Sequence, residues 1–136
     1  MILPILIAAI VSFIVGALWY GPVFGKCWMK MMGYTRESMR AMAMTPAKAM
    51  LLGFLSQVVF ASVLARAIFS FAFDFPSALS LAFWIWIGFY VPVTLGGYLW
   101  EGKSLKLVAF NMAYQLVGLL ATASAVVAAL SLGLYA

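Results

Sequence analysis

Four long apolar stretches, residues 2–24, 47–73, 77–99 and 105–134, determine the solvent in which this chain can fold. A hydrocarbon core of about 30 Å takes about 20 residues of α-helix to cross, so each stretch is long enough to span one. A helix satisfies every backbone N–H and C=O within its own segment, which hydrocarbon demands. Composition agrees: 68% of residues are hydrophobic and 8% charged, against about 45–50% and about 25% in soluble domains. The expected fold is a single all-α integral membrane domain over residues 1–136, a four-transmembrane-helix bundle.

The first stretch has no basic residues before it and several after it, so it reads as a span and not as a cleaved signal peptide. Its end is loosened by Gly21-Pro22. The connector from Gly25 to Thr45 carries Lys26, Lys30, Arg36 and Arg40, with Lys48 just inside the next helix. Within it Thr35 is placed as an N-cap, with Tyr34 positioned to staple against Met39. Arg36 and Arg40 then share one face and Met39 and Met42 another. This predicts a short amphipathic interfacial helix in the first cytoplasmic loop. Thr45-Pro46 is a helix start, Phe73 to Pro76 a tight turn, and Trp100 to Ser104 the last connector. The fourth stretch exceeds what a bilayer needs, so tilt or protrusion is expected.

Charge orients the bundle. The first and third connectors hold seven Lys and Arg, counting Lys48 and Lys106 at helix ends, and the second holds only Asp74. By the positive-inside rule both basic connectors face the cytoplasm and both termini lie outside. Trp19, Tyr20, Trp28, Tyr98 and Trp100 then collect at the inner interface, and Tyr135 at the outer one. The net charge of +5 points to the lipid bilayer and its anionic headgroups, contacted by Lys26, Lys30, Arg36, Arg40 and Lys48, and not to nucleic acid.

The chain has one cysteine, Cys27, and no histidine. That excludes an intrachain disulfide, His-ligated metals and His proton relays. Methionines crowd the first connector beside Cys27, a soft set for Cu(I), yet thioethers equally suit a helix lying in lipid, and the spacing matches no metal motif. No metal, no cofactor and no enzymatic activity are expected. Tyr20, Tyr114, Cys27 and Glu101 are the plausible reactive groups, and none has a visible base beside it.

Polar residues inside the spans are the remaining signal. Asn111 and Gln115 stand four residues apart on the fourth span, on one face with Gly118 and Thr122. Tyr114 lies beside them, and Trp19, Tyr20 and Thr94 sit at similar depth on other spans. One reading is a polar pocket open to the cytoplasm; the other is interhelical hydrogen bonding. Gln57, in line with Gly53 and Ala61, reads as a helix contact. Arg66 is the charge well inside a span, about 10 Å from its outer end at 1.5 Å per residue. It either attracts anions to an outer vestibule or snorkels outward, toward Asp74. Small residues at four-residue spacing mark close helix packing: Ala121, Ala125, Ala129 and Gly133 on the fourth span, and Gly21 and Gly25, with Gly16, on the first. Pro92 removes the donor for the Gly88 carbonyl, so a kink is expected there.

The run from Gly16 to Met29 (Gly-Ala-Leu-Trp-Tyr-Gly-Pro-Val-Phe-Gly-Lys-Cys-Trp-Met) resembles the signature of the bacterial DUF1761 family. A second matching piece is Trp100 to Leu107, followed by Asn111 and the Ala113-Tyr114 pair. The resemblance spans essentially the whole chain and implies a small four-helix membrane protein of unknown function, in the bacterial inner membrane. Members often carry histidine where this chain has Gln115, and an amide cannot transfer a proton. With four spans too few to enclose a roomy path, the functional expectation is a homo-oligomeric transporter or channel for an ion or small polar solute. The alternative is a non-catalytic scaffold, accessory subunit or lipid-interacting protein.

Overall fold

A computed structural model of the chain describes residues 1–72 and 74–135, which form helices and turns with no strand among them. α1 (Ile2–Leu18) runs into a π-helical turn (Trp19–Val23), followed by α2 (Gly25–Met32) and α3 (Arg36–Arg40). α4 (Pro46–Phe71) comes next. α5 (Phe75–Ile85), a second π turn (Trp86–Tyr90) and α6 (Val91–Trp100) then continue as one rod, and α7 (Leu105–Ser131) completes the bundle. Four helices are long and apolar enough to cross a bilayer: Ile2–Val23, Pro46–Phe71, Phe75–Trp100 and Leu105–Ser131.

Local chemistry sets the boundaries. The Thr45 hydroxyl accepts the Lys48 N–H at 3.4 Å, and that of Ser104 accepts the Leu107 N–H at 3.1 Å. The third span begins earlier than its expected start at Ser77, because Phe75 and Pro76 form the first turn of α5 and not a loop. Proline is tolerated there, where the N–H would have no intrahelical acceptor. Phe73, the expected end of the second span, lies outside the described residues. α7 stops at Ser131, short of the expected 134. Gly133 adopts φ +75, and the Leu134 N–H reaches back to the Ala129 carbonyl at 3.1 Å, which closes the helix as a left-handed C-cap does. Gly133 is therefore a terminator, and within the chain it packs against nothing: a Cβ there would meet nothing within 4 Å. The same holds for Gly21, whose φ −110, ψ −111 backbone breaks the helix beside Pro22. The break in α1 and the irregular turn ahead of Pro92 are both where the sequence placed them.

The first connector holds two helices where one was expected. α3 begins at Thr35, whose hydroxyl accepts the Ser38 N–H at 3.1 Å. α2, the additional one, ends where Gly33 takes φ +70. Its Lys, Met, Cys and Trp residues are ordinary helix formers, and the Gly21-Pro22 break hid that the helix resumes two residues later.

Alanine makes the seam between helices. Ala8 and Ala9 of α1, Ala61 and Ala65 of α4, Ala78 and Ala82 of α5 and Ala123 of α7 are all 0% exposed. With lipid on the outside, removing apolar surface from water does not drive the helices together, and close backbone approach takes its place. α1 packs against α7 and α4, while α5 and α6 lie along α7. The buried face of α7 carries Leu119, Thr122, Ala123, Val126 and Ala129. Of the stripe expected there, Ala129 is buried, but Ala121 and Ala125 are half-buried at its margin. The Met1 amino group donates to the Tyr135 carbonyl at 2.5 Å, so both chain ends meet at one end of the bundle, as an even number of crossings requires.

Asp74, outside the spans, caps α5 by accepting the Ser77 N–H at 2.9 Å, while its own N–H donates to the Ser77 hydroxyl at 3.0 Å. Hydrogen bonding by the Ser77 side chain, then by its backbone N–H, holds the Asp74 carboxyl below its ordinary 3.8. A depressed folded-state value means that this contribution is complete above 3.8 and is lost as pH falls through the folded value. Melting of wild type and Asp74→Asn between pH 6 and pH 2 should therefore show extra acid sensitivity in wild type alone. Parallel curves would remove the assignment.

Candidate functional site

The N-terminal half of α4 stands away from the bundle. Residues 46–52 are all exposed, whereas Ala61, Leu64, Ala65 and Ile68 farther along are buried. A wedge therefore opens between α4 and α7 at the end that carries α2, α3 and the Glu101–Ser104 connector. It contains a cleft of about 780 Å³, bordered by Trp28, Lys103, Asn111, Tyr114 and Gln115. Tyr20, Trp28, Ala49 and Tyr114 also border an adjoining hollow of about 510 Å³ that reaches Ser12 and Gln57. A third, of about 240 Å³, continues past Gln57, Tyr114 and Gln115 to Tyr90 and Leu119. Tyr114 lines all of them. A fourth hollow of about 190 Å³ shares Phe60, Tyr90 and Leu119 with the third and is otherwise lined by Val63, Leu64, Ala67 and Ile85, so the polar lining ends at Tyr90.

Hydroxyl–amide pairs tie the helices around this path. Tyr20 donates to Asn111 Oδ1 at 2.7 Å, linking the end of the first span to α7. Thr94 donates to Gln115 Oε1 at 3.0 Å, linking α6 to α7. Ser12 donates to Gln57 Oε1 at 2.6 Å, linking α1 to α4. Tyr20 meets Tyr114 edge-on at 5.0 Å in the wall, and Trp19, which borders no part of the path, lies 4.6 Å from Phe24 and 6.1 Å from Tyr114. The Trp19 Nε1 is buried without a partner, facing an aromatic surround that can receive an N–H only weakly.

Of the six residues expected in the polar layer, Tyr20, Asn111, Tyr114 and Gln115 border the path, whereas Thr94 is tied to it through Gln115 and Trp19 through ring contact with Tyr114. Gln57 is a helix contact as expected, and it also lines the cleft. Two of the packing glycines act at this site. A Cβ on Gly16 would lie 2.8 Å from the Tyr114 hydroxyl, and one on Gly25 would lie 2.8 Å from the Tyr20 carbonyl. Arg66 is exposed on the far half of α4, outside the cleft, and makes no ion pair with Asp74 among the described residues. Lys26, Lys30, Arg36, Arg40, Lys48 and Cys27 are all exposed. Among the described residues no three His, Cys, Asp or Glu side chains gather.

Sequence reasoning did not single out Ser12, Tyr90 or Lys103. Lys103 reaches the cleft because Gly102 takes φ +69 and the Lys103 N–H folds back to the Gly97 carbonyl at 3.0 Å. The Glu-Gly-Lys order was the available signal for that reversal. Lys103 pairs with Glu101 at 2.9 Å, and both side chains are about half exposed or more. The site as a whole offers neutral hydrogen-bonding groups, one cation at its mouth and aromatic walls, which suit holding a small polar species.

The family described as "Protein of unknown function (DUF1761)" matches residues 3–128. No curated protein and no solved structure matches the chain.

Proposed function

The chain belongs to the DUF1761 family, and from that premise we propose a transporter or channel for an ion or small polar solute, assembled from several copies. The observation that carries this reading is the polar path through Tyr114, open at the basic end and giving way to an apolar hollow past Tyr90 and Leu119. Glue alone needs paired side chains. It does not need a cleft of about 780 Å³ beside them. A bundle of four spans cannot surround a continuous pore, so neighbouring copies close the open flank of α4. With basic connectors drawn inward, the cleft faces the cytoplasm of a bacterial inner membrane and both termini face outward. α2 and α3 then rest on anionic headgroups through Lys26, Lys30, Arg36 and Arg40, at about 1 kcal/mol per basic residue near the surface.

That exposed basic row also favours a second reading, a lipid-binding accessory component without transport. Proteoliposomes separate the two. The transport reading expects efflux of ions or small polar solutes above that of empty vesicles, reduced at least tenfold by Gln115→Leu. Efflux equal to empty vesicles, together with selective retention of anionic lipid on purification, would leave the accessory reading standing instead.

A further inference from the structure

The direction of the hydroxyl–amide pairs determines which ligand the cleft accepts. Tyr20, Thr94 and Ser12 each donate to an amide oxygen, those of Asn111, Gln115 and Gln57. Each amide has an oxygen that accepts and a nitrogen that donates two hydrogens. Each oxygen thus already accepts one hydrogen bond, and the ends wholly unused are the NH₂ groups. None of them donates to a protein atom, and among the described residues the only buried polar side-chain atom without a partner is Trp19 Nε1. The amide nitrogens are therefore not sealed off, and each of their residues lines a hollow of the path. The Tyr114 hydroxyl is in the same position: it makes no hydrogen bond among the described residues, and Tyr114 borders every part of the path.

From mouth to interior the path presents Lys103, then Asn111, then Gln115 and Gln57. Taking 1.5 Å per residue, Asn111 lies about 9 Å into α7, Gln115 about 15 Å, and Gln57 about 16 Å into α4. Every one of these groups offers hydrogens. Anionic acceptors for a cation are missing: the chain has three carboxylates, Glu37, Asp74 and Glu101, and none borders the path, whose oxygens are neutral hydroxyls and amides. Glu101 is engaged by Lys103 at the mouth. Cation pathways are built from carbonyl or carboxylate oxygens, whereas anion pathways use cations and N–H donors.

We infer that the cleft selects a small monovalent anion, of halide or short carboxylate type, held by the amide N–H groups of Asn111, Gln115 and Gln57 after attraction to Lys103. The monovalent limit follows from the donors. They are neutral, and the single cation is half-compensated by Glu101, so a divalent anion would lose more hydration than these groups replace. This inference rests on the transport reading for its purpose, but its test does not depend on flux.

Purified protein in detergent is melted in sodium chloride, sodium formate and sodium gluconate at constant ionic strength, and then in potassium and ammonium gluconate. Binding to the folded state alone raises Tm with ligand concentration, so chloride or formate should raise it, and exchange among the cations should not. Gln115→Glu keeps an oxygen for the Thr94 hydroxyl and replaces the donor with a negative oxygen. It should weaken the anion response at least tenfold. Asn111→Asp, nearer the mouth, makes the same exchange should the deeper charge prevent folding. A response to potassium or ammonium and none to anions would mean that the amide oxygens face the cleft, which overturns anion selection and leaves transport intact. No response to any ion, with efflux of uncharged solutes from proteoliposomes, would do the same. No response and no efflux would remove both proposals.

Discussion

Gly16→Ala is expected to impair the site severely in the native background and hardly at all when Tyr114 is phenylalanine. The new Cβ would stand 2.8 Å from the Tyr114 hydroxyl oxygen, too close for any real contact, and the next ring atom is at 3.5 Å, an ordinary distance. Tyr114 cannot absorb the push freely, because Tyr20 and Trp19 flank it at 5.0 and 6.1 Å. The ring must move into the cleft, which it borders along its full length. Overpacking of this kind costs about 1–3 kcal/mol, and about 1.4 kcal/mol is tenfold in affinity. The measurement is a double-mutant cycle on Tm and on ligand response. Equal losses in both backgrounds would show that the contact is not what limits Gly16.

The second large effect concerns the alanine seam. Ala123→Leu should break up the bundle, whereas Ala128→Leu on the same helix should not. Ala123 is 0% exposed and Ala128 faces outward. Added methylenes at a tight crossing force the backbones apart at about 1–3 kcal/mol in a well-packed core. Lipid is as apolar as leucine, so no hydrophobic gain offsets this. Size-exclusion profiles and melting in mild detergent report it directly: aggregation or a large drop in Tm for Ala123→Leu, and wild-type behaviour for Ala128→Leu. Similar behaviour of the two variants would mean that the inward face of α7 has been misplaced.

That face illustrates where sequence reading succeeds and where it stops. Hydropathy located all four spans within a few residues, because burial in lipid acts on whole segments. Thr35, Thr45 and the Gly88–Pro92 pair were legible because caps and prolines act locally. The stripe on α7 was not. Alanines at 121, 123, 125, 128 and 129 surround that helix, so spacing finds several small-residue stripes and only packing against α1 and α5 chooses among them. α2 escaped notice because a break in a helix and its end look alike in sequence. At the site, polar residues at matching depth predicted a layer, and the structure pairs Tyr20 with Asn111 and Thr94 with Gln115. The pairing partners, and hence which end of each amide donates no bond, depend on side-chain directions across all four spans.

The irregular turn Trp86–Tyr90 carries one more consequence. A π turn holds an extra residue, and each residue of an α-helix advances about 100° around the axis. Everything beyond Tyr90 is therefore clocked about 100° away from where an unbroken α-helix of the same sequence would aim it. Both sides of this joint are tied to α7: Trp86 Nε1 donates to the Met112 carbonyl at 2.9 Å on one side, and Thr94 to Gln115 at 3.0 Å on the other. Tightening the turn to α geometry would swivel Thr94 off Gln115 while leaving Trp86 seated. The extra residue thus sets the register at which the Thr94 hydroxyl meets the Gln115 oxygen.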